Sequence, residues 1–208
     1  MDYLTLRAAG TSEYIDRKSR FIGHAAPVCT EDEAMAFLRE IRTRYWDARH
    51  HVYAYVLRSG AVRYSDDSEP QGTAGLPTLE VLTRSGLTDA VIVTTRYFGG
   101  VLLGTGGLTR AYGRAAHDAV SAAGTVRMQV CRSGTVVCSY AQYGAVGRAL
   151  TAAGAAMDDT GFGQDVTVRF HAAPARLPAL IRALADATAG SAVPEWTGEA
   201  FFPTENDA

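Results

Sequence analysis

The segment RYFGGVLLGTGGLTRAYGRAA, Arg96–Ala116, decides how the first half of the chain is read. It follows a β-branched run, Ala90–Thr95, suited to a strand buried on both faces. It ends in Leu108, Ala111, Tyr112 and Ala115, whose spacing marks a long helix closing near Gly124. Between strand and helix stand Gly99, Gly100, Gly104, Gly106 and Gly107, which permit positive φ and close approach of another group. Free N–H groups at positions 105–108, Thr105 among them, would form a helix start of the kind that holds anions. Arg96, Arg110 and Arg114 could add charge-assisted bonds to a phosphate, the last two sharing one helix face. The same glycines also suit a purely structural connection, with Arg114 paired to Asp118. Gly104-x-Gly106-Gly107 followed by Thr109 lacks the dinucleotide fingerprint.

Upstream, strand-like segments lie at Tyr3–Arg7 and Arg20–Val28. Thr30 and Glu33 then form a capping box before a helix carrying Ala34, Phe37, Leu38, Ile41 and Tyr45. A strand at Val52–Leu57, a polar loop over 64–75 and a short helix over 76–85 complete this half. The patterning changes near residues 124–131. From there the order is a strand at 132–139, a helix with Tyr143, Val146 and Leu150, and two strands joined by Gly161-Phe162-Gly163. A helix with Leu177, Leu180, Ile181 and Leu184 and a last strand within Ala192–Phe202 follow. This β-α-β-β-α-β order is the ferredoxin-like arrangement. The expected organisation is therefore α+β in two domains, residues 1–128 and 129–208, with a fraying tail at Pro203–Ala208.

Composition bounds the function. The 208 residues are 47% hydrophobic and 20% charged, an ordinary globular balance that excludes disorder throughout. Apolar runs are too short to span a bilayer, and there is no basic-then-apolar leader, so neither membrane nor secretion is expected. A net charge of −2 argues against strong duplex-DNA binding. Residues 1–130 nevertheless hold 15 of the 20 basic residues, which leaves room for a local basic patch. Cys29, Cys131 and Cys138 form neither a disulfide framework nor a zinc signature, which suits a reduced, cytoplasmic setting without a cofactor.

A second constellation is YSDDSEPQGTAG, residues 64–75. Asp66, Asp67 and Glu69 could ligate Mg²⁺, face a substrate or dock a basic partner. They equally suit a loop that starts a turn and caps the next helix, with Thr73 inside it. His50 and His51 would face opposite sides of a strand, and no histidine has metal-ligand spacing. Arg39, Arg42, Arg44 and Arg49 beside Tyr45 and Trp46 could contact RNA or simply form a solvated helix face. No nucleophile elbow is present.

These stretches, with WDARHHVYAYVLR at Trp46–Arg58, resemble the signature blocks of the YigZ/IMPACT family over about residues 15–125. Asp66, Asp67, Glu69, Gly72, Thr73 and Gly75 match its acidic loop. Arg96, Tyr97, Gly99, Gly100, Gly104, Thr105, Gly106, Gly107 and Gly113 match its glycine-rich block. The resemblance implies an N-terminal fold with a left-handed βαβ crossover like domain IV of elongation factor G, and a second half like domain V. It also implies a translation-linked role, although the RWD domain of the eukaryotic members is absent. It supplies no catalytic assignment. Three functions stay open: a translation-associated protein contacting RNA or a ribosome-linked partner through its N-terminal domain, a phosphate-handling enzyme, and a protein-docking module without nucleic acid. The oligomeric state is not readable from the sequence.

Overall fold

A computed structural model describes residues 2–204. The chain divides into two compact units, Tyr3–Arg127 and Met128–Thr204.

The first unit is a five-stranded antiparallel sheet with helices on both faces. After the short strand β1 (Tyr3–Leu6), β2 (Gly10–Asp16) and β3 (Ser19–Pro27) form a hairpin. Its turn places Arg17 and Lys18 at positive φ, 43° and 67°. That backbone twist matches the twist of the paired strands. Helix α1 (Glu31–Arg44) starts where Thr30 accepts the Glu33 N–H at 3.2 Å. The expected reciprocal bond shifts by one residue, since the Glu33 carboxylate takes the Cys29 N–H at 2.7 Å. Then come β4 (His50–Val56), β5 (Val62–Ser65), α2 (Gly75–Arg84), β6 (Ala90–Tyr97) and α3 (Gly104–Ala123).

The sheet order is β2-β3-β6-β4-β5. β6 is central, and its side chains are buried from Ala90 to Arg96, as its unbroken β-branched run requires. Val91 and Val93 pack with Leu38 and Ile41 of α1 on one face. Ile92 packs with Leu82 of α2 and Ala116 and Ala119 of α3 on the other. α3 lies close to the sheet because β3 carries glycine there: a Cβ at Gly23 would stand 2.4 Å from the Ala115 carbonyl oxygen.

Two strands were not foreseen. β2 is a polar edge strand, GTSEYID, and β5 is four residues, three of them exposed. Edge strands bury little, so their sequences carry little hydrophobic pattern.

The second unit contains β7 (Thr125–Cys138, whose first residues belong to the first unit), α4 (Tyr140–Ala152), β8 (Ala155–Phe162), β9 (Val166–Ala172), α5 (Leu177–Thr188) and β10 (Glu195–Pro203). The antiparallel order β10-β7-β9-β8 is that of a ferredoxin-like sheet. Alternating Val166, Val168 and Phe170 meet Val146 and Leu150 of α4 and Leu180 and Leu184 of α5. The β8–β9 turn lies over 163–165 rather than 161–163, because Gly161 still pairs with Thr167. Of the expected fraying tail, Pro203 closes β10, and residues 205–208 lie outside the described residues.

One buried ionisable group on β3 makes the first unit acid-sensitive. His24 is 1% exposed, with Nδ1 3.1 Å from the Thr11 hydroxyl and Nε2 without a partner among the described residues. Burial, with the Arg44 and His51 charges adding, lowers its pKa from 6.5 to about 4. Between those values the unfolded chain takes up a proton that the folded chain refuses. Stability therefore falls as pH falls through that window, and this group has no effect above it. His51, also lowered chiefly by burial, acts in the same direction. Urea unfolding should show a loss on the order of 3 kcal/mol from His24 between pH 6.5 and about 4. His24→Asn should flatten part of that slope. An unchanged slope in the variant would contradict the assignment.

Candidate functional site

The loop between β5 and α2 distributes its carboxylates among different tasks. Asp66 to Glu69 form a tight turn, with the Glu69 N–H donating to the Asp66 carbonyl at 2.9 Å. Asp67 and Ser68 sit at φ 42° and 69°, a conformation that short polar side chains tolerate. The Asp66 carboxylate accepts the N–H groups of Gly72, Ala74 and Gly75 at 2.9, 3.0 and 2.8 Å. It thereby closes the loop and caps the start of α2, where Ala74 has no capping side chain of its own. The Thr73 hydroxyl donates to the Pro70 carbonyl at 2.6 Å. Asp67 ties the loop to α1 and β4, accepting from Arg42 at 2.9 Å and from the His51 N–H at 2.6 Å. Of the readings open to these carboxylates, Asp66 and Asp67 take the structural one, each with its own partners.

Glu69 turns inward and is 8% exposed. Its Oε1 accepts Nη1 of Arg96 at 2.6 Å and the Tyr112 hydroxyl at 2.7 Å. Burial and the Glu69 charge push the Tyr112 phenol above its ordinary range, so it stays protonated and donates. The Arg96 guanidinium lies 5.4 Å from the Phe21 ring centroid and 5.6 Å from that of Phe98, with Nη2 3.4 Å from the Ser19 hydroxyl. Arg96 was one candidate for a phosphate contact, beside a purely structural reading of this block. It is 6% exposed, and its charge is matched by Glu69.

The glycine-rich block serves this arrangement. A Cβ at Gly99 would stand 2.0 Å from the Lys18 carbonyl carbon, so only glycine fits against the β2–β3 turn. The Gly99 N–H donates to Ser19 at 3.2 Å. Gly100 and Gly104 hold positive φ, and Gly107 is buried with its Cβ position 3.0 Å from that of Leu103. Gly106 leaves room for Arg110, whose Nη1 lies 3.5 Å from where a Cβ would be. Thr105 is exposed in the first turn of α3, whose N-cap Leu103 supplies no side-chain bond. Arg114 stacks 4.4 Å over Tyr14 and pairs with Asp118 at 3.5 Å, the structural alternative.

These pieces enclose a cleft of about 660 Å³. Buried Glu69 and Arg96 lie at its base with half-buried His50. Pro70, Leu103 and Leu108 add apolar walls, and Phe98, Leu102 and Arg49 stand exposed at its rim. His50 Nδ1 is 2.9 Å from the Asp67 carbonyl, which places its proton there, and Nε2 faces Glu69 at 4.0 Å. Tyr97 joins the rim with its hydroxyl 2.7 Å from Asp47. His50, Asp47, Phe98 and Tyr112 were not expected here. Tyr112 carried a usable signal, since a hydroxyl on an apolar helix face needs a buried partner. Of the arginine-rich stretch, Arg42 and Arg44 are spent on Asp67 and Glu40, Tyr45 packs inward and Trp46 is 81% exposed.

The fold and cleft define a two-unit α+β protein with a charge-neutralised cleft in its first unit. Comparison with known families matches residues 17–120 to the Impact N-terminal domain and 136–191 to a domain of unknown function, DUF1949. The chain is 44% identical over 132 residues to the IMPACT family member YvyE of Bacillus subtilis, covering 62% of this chain and 61% of that protein. It is 42% identical over 130 residues to YigZ of Escherichia coli, covering 61% and 64%. A solved structure titled a hypothetical protein superposes with a TM-score of 0.61 at 33% identity, covering 93% of this chain and 96% of that one. The chain belongs to the IMPACT family, as the acidic and glycine-rich blocks indicated.

Because Asp66 satisfies three loop N–H groups, Asp66→Ala should lower unfolding stability by about 2–4 kcal/mol. Asp66→Asn, which keeps one acceptor oxygen, should recover part of that. Equal denaturant midpoints for wild type and Asp66→Ala would show that the loop does not depend on this carboxylate.

Proposed function

We propose that this is a cytoplasmic, translation-linked protein whose first unit contacts single-stranded RNA, seating an unstacked base in the cleft. The observation that carries this reading is the pairing of an exposed aromatic rim, Phe98 at 53%, with a buried polar base formed by Glu69 and Arg96. Single-stranded RNA is recognised by stacking bases on aromatic rings and reading their polar edges. Arg49 at the rim supplies a cation for the backbone without a large net charge. Family membership supports the translation-linked setting. Among the described residues no helix is long and apolar enough to cross a membrane.

The two other functions have less support. The phosphate-handling reading uses the glycine-rich helix start together with the acidic loop, and the carboxylates of that loop are engaged with Arg96 or with the backbone. The acidic docking reading needs outward carboxylates, whereas the Glu69 side chain is 4% and that of Asp67 24% exposed.

Fluorescence anisotropy with single-stranded rRNA and tRNA fragments tests the proposal. Binding should weaken with salt, and Arg49→Ala should reduce the salt slope by about 1. Phe98→Ala should weaken binding by about 1–3 kcal/mol at fixed salt. Undetectable binding, or binding unaffected by Phe98→Ala, would overturn it.

A further inference from the structure

The base of the cleft holds hydrogen-bonding groups that the fold leaves unspent. Glu69 uses Oε1 for both Arg96 and Tyr112, and its Oε2 has no hydrogen bond among the described residues. His50 donates through Nδ1 to the Asp67 carbonyl, and in that tautomer Nε2 is the ring's acceptor nitrogen. That nitrogen is 4.0 Å from Glu69 Oε1, beyond hydrogen-bonding distance, and has no other partner among the described residues. Nε of Arg96 is buried and has no acceptor among the described residues. A ligand whose donors meet the Glu69 and His50 acceptors exchanges their water for direct hydrogen bonds.

We infer that this cleft is selective for guanine, with the guanine Watson–Crick edge meeting Glu69 and His50 while Phe98 covers one ring face. The inference rests on the RNA reading above and deepens it. Guanine is the common base whose edge carries two adjacent donors, the ring N1–H and the exocyclic amine. Glu69 Oε2 and His50 Nε2 are two acceptors on the same cleft. Adenine and cytosine place a ring acceptor beside their amine, which would face the carboxylate lone pairs. Uracil offers one ring donor between two carbonyls.

Charge selects the same ligand. Arg96 already neutralises Glu69 at 2.6 Å. A neutral donor edge therefore fits better than a guanidinium or ammonium, which would bring a second buried cation beside Arg96. The volume of about 660 Å³ suits such an occupant, lying within the roughly 300–1,000 Å³ of small-molecule sites.

The test uses the full chain and short oligouridylates carrying one central guanosine, inosine or adenosine, with affinity read by anisotropy. Inosine keeps N1–H and the carbonyl but lacks the amine. The guanosine oligomer should bind about tenfold to a hundredfold tighter than the adenosine oligomer, with inosine between them. Guanosine monophosphate should displace it where adenosine monophosphate does not. In Glu69→Gln, provided its circular dichroism matches wild type, the guanosine preference should be lost while residual binding persists. Equal binding of all three oligomers would overturn the inference and leave the RNA reading intact. Absence of binding to any oligomer would overturn both. Displacement of the probe by arginine amide as effectively as by guanosine monophosphate would assign the cleft to a cationic side chain instead.

Discussion

A single buried carboxylate ties together three elements of the first unit. Glu69 joins a loop to the central strand through Arg96, 27 residues away, and to helix α3 through Tyr112, 43 residues away. Desolvating a carboxylate and a guanidinium is expensive, and their attraction offsets this only when further hydrogen bonds complete the arrangement. Here Tyr112 and Ser19 supply those bonds, and two aromatic rings flank the guanidinium. A pair of this kind adds little net stability compared with a well-packed apolar replacement. Its consequence is specificity of arrangement: loop, strand and helix have one way to meet that leaves no charge unpaired.

The surrounding loop structure follows from that requirement. Asp66 fixes one end of the acidic segment on the start of α2, and Asp67 fixes the middle on α1 and β4. With both anchored, Glu69 is directed inward rather than to solvent. On the opposite wall, Gly99 lets the segment after β6 lie against the β2–β3 turn, carrying Phe98 to the rim and Ser19 to Arg96. The glycine-rich block is thus chiefly a device for close approach. Its helix start is one edge of the cleft rather than the whole of a site.

Much of the fold was legible because its main elements are periodic. The β-branched run of β6, the helical spacing of α1 and α3, and the alternation of Val166, Val168 and Phe170 each state a burial pattern that the structure realises. The polar edge strand β2 and the short β5 bury too little to leave such a pattern. The site was legible as two unusual stretches but not as one constellation. Spacing shows what lies on one helix face or one loop, whereas the Glu69–Arg96 pairing depends on strand order. That is why Arg96 reads as a free cation in sequence and is a matched one in structure. His50 was hidden for a related reason: its neighbour His51 faces the other side of the sheet, bonded to Thr95, and only topology tells which side carries the cleft.

Glu69 and Arg96 act as one unit on which the cleft is built. Their coupling is measured by a double-mutant cycle with Glu69→Gln, Arg96→Gln and the combined variant, read by urea unfolding. Each single change strands a buried charge, so the double variant should be less destabilised than the two singles together, by at least about 1.5 kcal/mol. Additivity within about 0.5 kcal/mol would mean that the two residues are energetically independent and that the cleft is not built on their pairing.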